Sequence, residues 1–260
     1  MAVAAARAIE GLGTTEDAWL GWLDTQAITP VGATSLVPEG RRVVIVAPHP
    51  DDEVLAVGGL LAQLAPLSRE MLIVAVTDGT ASHPASTVWP AQRLAQERPL
   101  ESRRAWERLG LDVDGSAHAV RLGFADGGLR ASCGLLARTL SALLRPTDVV
   151  FTTWRHDGHP DHEATGQACA AAAACCGARL IEVPVWAWHW AEPGDARLPW
   201  HRAMRLALDP AIRQMKRTSV EAFASQLVAD PSTGAGPILR STTVQRAHRP
   251  FEIYFSSLPP

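Results

Sequence analysis

Val43–Ala47 reads VVIVA and Met71–Thr77 reads MLIVAVT. Both are unbroken apolar runs of strand length, and a strand that is apolar on both faces has to be covered on both. Each run is followed by helical periodicity: Glu53–Leu67 after the first, and Leu100–Leu109, closed by Gly110, after the second. The alternation continues down the chain. His118–Leu122 reads as a third strand and Leu129–Leu144 as a helix stopped before Pro146. Asp148–Thr153 (DVVFTT) reads as a fourth strand, Asp161–Cys176 as a helix with Gly177 past its end, and Leu180–Val185 as a fifth strand. This pattern predicts an α/β domain with a mostly parallel sheet flanked by helices. In such sheets ligands sit beyond the C-terminal ends of the strands.

The flanks are less regular. Residues 1–40 read as an extension packed on the domain of residues 41–260, with a short helix opening near Thr15-Glu16-Asp17. Beyond Trp186, Ala203–Leu208 reads as a strand, Pro210–Leu227 as one helix, 230–237 as a loop and Phe251–Phe255 as a late strand. At 260 residues the chain is ordinary for one α/β domain. A net charge of −3 gives no basic stripe for nucleic acid, and no apolar run is long enough to span a bilayer. The N-terminus has no apolar core following a basic start, so the chain reads as cytoplasmic. Cys133, Cys169, Cys175 and Cys176 form neither a disulfide scaffold nor a pair of C-x-x-C knuckles, and read as small packed hydrophobes.

The chemistry is concentrated where strands end. The first strand runs into Pro48-His49-Pro50-Asp51-Asp52-Glu53. A helix N-terminus welcomes acids, which accounts for Glu53. It does not account for His49, nor for two adjacent aspartates at the mouth of a buried strand. His49 and Asp52, three apart on one turn, can reach one metal ion, with Asp51 turned to the open face. The fourth strand runs into His156-Asp157-Gly158-His159-Pro160-Asp161-His162-Glu163. His156 reads as loop polarity, but His-Pro-Asp-His is a stiff pair of imidazoles. In a parallel sheet the ends of the first and fourth strands can lie together. Two such clusters at one sheet edge predict three ligands and an open position, the arrangement of a catalytic zinc site.

These motifs, Ala47-Pro48-His49-Pro50-Asp51-Asp52-Glu53 and Asp157-Gly158-His159-Pro160-Asp161-His162, resemble those of the PIG-L/LmbE-like zinc-dependent deacetylases. Thr77-Asp78-Gly79, Arg98-Pro99-Leu100-Glu101, Leu122–Gly127, Lys216 and Ser225-Gln226 extend the resemblance over roughly residues 41 to 256. It implies a Rossmann-like α/β sandwich. It implies one zinc on His49, Asp52 and His162, with iron or cobalt as substitutes because such sites discriminate poorly among first-row metals. It implies Asp51 as general base and His159 as acid or oxyanion stabiliser, with Asp161 fixing the tautomer of His159 and raising its basicity. Asp157 stands where some members of the family carry a tyrosine; the chain's single tyrosine is Tyr254.

The expected reaction is hydrolysis of an N-acyl amide on an amino sugar or sugar conjugate, with N-acetylglucosamine derivatives the substrate class that the resemblance implies. Arg98 and Asp126 are the candidates to hold the substrate, and Trp188, in VWAWHWA, the candidate platform for a sugar ring. For Arg98 a salt bridge to Glu101 on its own helix is the competing role; for the tryptophans it is core packing. Two other functions remain open: an amidase of the same mechanism acting on a non-sugar, thiol or lipid conjugate, and a non-catalytic Rossmann-like binding module. A binding module has no use for Asp51, and no G-x-G-x-x-G follows the first strand.

Overall fold

The structure, a computed structural model, describes residue 7 and residues 9–67 and 69–257. The expectation that the chain's first residues carry no leader core falls largely on residues 1–6, outside the described residues. The chain opens with α1 (Glu16–Leu23), capped by the Thr15 hydroxyl, which accepts from Ala18 N. The short β1 (Thr29–Val31) and α2 (Ala33–Leu36) follow. The alternating section is β2 (Val43–Ala47), α3 (Asp52–Leu64), β3 (Met71–Thr77), α4 (Ala91–Arg108), β4 (Ala117–Phe124), α5 (Leu129–Leu143), β5 (Val149–Thr153), α6 (Pro160–Cys176) and β6 (Arg179–Val183). The last section carries α7 (Ala187–Trp190), β7 (Ala203–Ala207), α8 (Pro210–Val220), α9 (Ala224–Leu227), α10 (Ser241–Ala247) and β8 (Phe251–Ser256).

All eight strands join one sheet in the order β1-β7-β8-β6-β5-β2-β3-β4. Every pairing is parallel except those of β8, which runs antiparallel to both β6 and β7. The apolar runs lie at the centre: β2 and β5 are buried along their whole length, as two-faced strands must be. One core, with Leu60, Leu61 and Phe223, fills one face of the sheet, and a second, with Leu136, Leu140 and Ala168, fills the other. β2 pairs directly with β5, Val46 opposite Thr152. The chain leaves β2 towards β3 on one side and reaches β6 on the other, so a crevice opens at their carboxyl ends. Both His/Asp clusters lie there.

The segment before residue 41, read as an extension packed on the domain, contributes β1, which pairs with β7 as the sheet's edge strand, and Trp19, fully buried with its indole donating to Trp188 O at 2.8 Å. Two expectations need correction. The second helix starts at Ala91 and runs through Pro99. Proline lacks the amide that would bond the carbonyl four residues back, and the freed Ala95 O accepts instead from Arg121 Nη2 at 3.3 Å. The segment expected as one helix over 210–227 is split, because Ser225 gives both its amide and its hydroxyl to Glu101, each at 2.7 Å.

Candidate active site

The turn after β2 holds Asp51 at φ 127°, a conformation that residues with a Cβ rarely adopt. Asp51 occupies the N-cap position of α3, yet its carboxylate makes no capping bond. It faces Arg98, whose Nη2 donates to Asp51 Oδ2 at 3.0 Å and to Pro50 O at 2.5 Å, while Nη1 donates to Gly79 O at 2.9 Å. Gly79 has to be glycine: its φ is +65°, and a Cβ would overlap the guanidinium. Glu53 completes the turn. Its Oε2 accepts from Asp51 N at 3.1 Å and its Oε1 from Trp106 Nε1 at 2.9 Å. Glu53 therefore does more than answer the helix dipole. Burial pushes the Asp51 carboxyl up to about 8 against the pull of Arg98.

His49 and His162 meet at Asp52. Asp52 Oδ2 lies 3.2 Å from His49 Nδ1 and 3.2 Å from His162 Nε2. The other nitrogen of each ring is committed. His162 Nδ1 sits 2.8 Å from Asp157 Oδ2, and His49 Nε2 sits 3.2 Å from Asp126 Oδ1 and 3.3 Å from Asp161 Oδ2. Protons on those nitrogens leave His49 Nδ1 and His162 Nε2 as lone pairs directed at one place. His162 Nε2 is buried with no hydrogen-bond partner, an orphan of the kind a metal ion satisfies. His49, His159 and His162, and separately His49, Asp126 and Asp161, bring ligand atoms within 4.8 Å of one another, and Asp52 Oδ2 stands 3.2 Å from both His49 Nδ1 and His162 Nε2.

The electrostatics agree. Burial alone would push both imidazoles down, yet the surrounding carboxylates raise His49 well above its usual value and His162 to about 9. Burial likewise opposes the charge on Asp52, and the two imidazoles hold it well below the carboxylate range. A field that pulls protons onto two histidines is one that a divalent cation also satisfies. The residues present fit a metal ion.

His159 caps α6: its Nδ1 accepts from Asp161 N at 3.2 Å, so the neutral ring carries its proton on Nε2. The expected Asp161-to-His159 contact is not formed. The Asp161 carboxylate accepts from Gly127 N at 2.7 Å and Leu129 N at 3.1 Å and faces His49. It orients a candidate ligand, and the orienting of His159 falls to its backbone amide. Burial and the two neighbouring imidazoles push His159 down to about 3. The ring is therefore a neutral hydrogen-bond donor at neutral pH.

Sequence reasoning passed over Asp157 except as the position of a missing tyrosine. It is fully buried and accepts from Val185 N, Trp186 N and Ala187 N, each at 2.9 Å, as well as facing His162. A carboxylate five residues before a candidate ligand was the available signal. Asp157→Asn is expected to weaken metal binding about 10–100-fold, the usual effect of losing a carboxylate behind a metal-bound histidine. Competition with a chromophoric chelator checks this; an unchanged affinity would remove Asp157 from the site.

The candidate substrate residues fare unequally. A cavity of about 330 Å³ is lined by the polar His49, Asp51, Asp52, Arg98, Asp126, His159 and His162 together with the apolar Leu55, Val185, Trp186, Ile238 and Leu239. Arg98 borders it but is spent on Asp51, and it makes no bridge to Glu101, which faces Ser225. Asp126 is spent on Ala81 N at 2.7 Å and on His49. Trp188 is not in the cavity: it is buried edge-on against Trp19 with ring centroids 4.9 Å apart. Residues 187–190 form a helical turn, so alternate indoles do not share a face. Trp186 lines the cavity instead, stacked at 24° on the His159 ring with centroids 6.3 Å apart.

Residues 44–173 match the family described as PIG-L, GlcNAc-PI de-N-acetylase. No curated protein matches. Among solved structures, a deacetylase of teicoplanin biosynthesis is similar at 20% identity and a TM-score of 0.62, over 83% of this chain and 97% of that one. The conserved protein TT1542 from Thermus thermophilus is similar at 25% identity and 0.58, over 84% and 95%. The N,N'-diacetylchitobiose deacetylase from Pyrococcus horikoshii is similar at 18% identity and 0.61, over 96% and 95%.

Proposed function

The chain belongs to the PIG-L family, and from that premise we propose that it is a metal-dependent hydrolase that removes the acetyl group from an N-acetylated amino sugar carried on a larger conjugate. The meeting of His49 Nδ1 and His162 Nε2 at Asp52, with the Asp51 carboxylate on the same cavity, carries this conclusion. His49, Asp52 and His162 would hold the metal, which we assign as zinc because imidazole nitrogen and carboxylate oxygen are among its usual ligands. When bound, the ion acidifies a water and polarises the amide carbonyl.

The rest of the chemistry belongs to the chain. Asp51, held by Arg98 and Glu53, takes the proton of the attacking water. His159 offers its Nε2 proton to the developing oxyanion as a neutral donor, at no cost in charging a buried imidazole. The proton on Asp51 then goes to the leaving nitrogen, since amide cleavage without it would expel an amide anion. Asp157, Asp161 and Asp126 fix the two ligand imidazoles in the tautomers that ligation needs. The substrate lies between this polar wall and the apolar one. Trp186 gives a sugar ring a face to stack on, and Ile238 and Leu239 give room for an apolar aglycone. No helix among the described residues is long and apolar enough to cross a membrane. The four cysteines are free, which suits the reducing cytoplasm.

The test compares free N-acetylglucosamine, its lipid or aryl glycosides, and non-sugar N-acetyl amines with the metal-loaded protein, by release of free amine. Glycosides are expected to react best, and a chelator to abolish the reaction. Trp186→Ala is expected to raise KM more than it lowers kcat, as lost stacking does. No amine from any N-acyl sugar would overturn the proposal. Equal kcat/KM across the panel would leave an amidase without a sugar site.

A further inference from the structure

The polar groups around the substrate cavity are mostly spent on one another. Arg98 holds Asp51 and the carbonyls of Pro50 and Gly79. Asp126 holds Ala81 N and His49. Ser82 Oγ lies 2.9 Å from His83 Nδ1. Gln226 Nε2 donates to Ser225 Oγ at 2.8 Å, and its Oε1 is sealed from solvent. His159 Nε2 carries the one proton that the reaction proposed above gives to the oxyanion. A sugar entering this cavity brings hydroxyls that lose their water, and each one left without a partner costs free energy. Few groups remain to meet them.

Thr243 is the exception. It is buried, and it borders the cavity. Its hydroxyl has no hydrogen-bond partner among the described residues, yet it is not sealed from solvent as the Gln226 oxygen is. Its position in the chain explains this. A threonine inside a helix can turn its hydroxyl back onto the carbonyl three or four residues earlier. Thr139 does so to Leu135 O at 3.1 Å, and Thr218 to Gln214 O at 3.1 Å. Thr243 belongs to the first turn of α10, which begins at Ser241. Four residues earlier the chain is not yet helical, and no such bond forms. The hydroxyl stays free to turn towards the cavity.

We propose that Thr243 is a specificity-determining residue, whose hydroxyl hydrogen-bonds one ring hydroxyl of the amino sugar. The inference rests on the deacetylase reading of the cavity and names how that cavity tells a sugar from another N-acetyl amine. A threonine hydroxyl both donates and accepts, so it fits a neutral alcohol, which does the same. It carries no charge to answer a phosphate or a carboxylate. The side chains of Leu55, Ile238 and Leu239 on the same cavity give only apolar contact, so an amine without hydroxyls gains nothing from Thr243.

The test pairs Thr243→Val, which keeps the branched shape and removes the hydroxyl, with Thr243→Ser, which keeps the hydroxyl. The substrates are an aryl N-acetylglucosaminide and its monodeoxy forms, assayed with the metal-loaded full chain. Thr243→Val is expected to lower kcat/KM on the parent glycoside roughly 2–12-fold, the worth of one neutral hydrogen bond, chiefly through KM. Thr243→Ser is expected to stay near wild type. One monodeoxy substrate is expected to cost wild type a similar factor and to cost Thr243→Val nothing more, because the two changes remove the same bond. A wild-type kcat/KM in Thr243→Val, or the same set of deoxy penalties in both proteins, would overturn the assignment. Should wild type release no amine from any of these glycosides, the deacetylase reading fails, and calorimetric binding of the aryl glucosaminide decides the role of Thr243. Binding weakened in Thr243→Val and restored in Thr243→Ser supports it, and equal binding or none rejects it.

Discussion

Asp51→Asn is expected to lower kcat roughly 10²–10⁴-fold, the contribution of a positioned general base, while metal content stays near that of the parent and Tm falls, because the buried Arg98 loses its carboxylate partner. Asparagine is the right replacement for two physical reasons. It is among the residue types most often found at positive φ, the conformation that the turn after β2 imposes. It also matches the carboxylate in size, so Arg98 keeps its bonds to Pro50 O and Gly79 O and the turn keeps its shape. What disappears is the ability to take a proton. A steady-state assay on the best glycoside, with metal content measured in parallel, separates the outcomes. Turnover within a factor of two of the parent would move the base elsewhere. Loss of metal along with turnover would instead make Asp51 part of the ligand set, against its orientation towards Arg98.

The candidate ligands stand out in the sequence more plainly than the residues that support them, and the difference has a physical cause. His49, Asp52 and His162 announce themselves because their residue types are wrong for a helix start, and because both clusters follow apolar strands that the structure pairs side by side. Asp157 and Asp161 sit in the same motif. Their partners, however, are backbone amides of residues 127, 129 and 185–187, reached only through the fold. No spacing rule reports such contacts. Trp188 illustrates the opposite error. Alternation in VWAWHWA looks like a strand, but a helical turn follows β6, and the indole that faces the cavity is Trp186. Arg98, a candidate to hold the substrate, lines the cavity, but its charge is spent on Asp51. The sheet's centre was legible from its apolar runs. Its far edge was not, because β1 has three residues, exposed or half-buried, and joins β7 from nearly the other end of the chain.

Glu252→Gln is expected to cost about 3–5 kcal/mol, the usual penalty for stranding one member of a buried ion pair, and to lower Tm by roughly 6–20 °C at 2–4 °C per kcal/mol. The pair is inserted into a break in α3. Val57 leaves helical geometry at φ −133°, ψ 15°, and the break exposes groups that a continuous helix would pair with one another. Gly59 N would bond Leu55 O in an intact helix. Instead Gly59 N donates to Glu252 Oε1 and Leu55 O accepts from Lys216 Nζ, so the ion pair replaces the lost bond at both ends. Gly59 allows this because any side chain there would press on Leu208 and Glu252. The amide of a glutamine cannot serve Lys216, Gly59 N, Leu60 N and Tyr254 OH together, and it leaves the ammonium unpaired. Replacing Lys216 with methionine in the same variant removes that stranded charge, and part of the loss is expected to return. Urea titrations of the two variants measure it. A single-variant loss below about 1 kcal/mol would mean that water reaches the pair, as it does for exposed ones. The first turn of α3 carries Asp52 and follows Asp51, so a break that loosens here is also expected to weaken metal binding without touching a ligand.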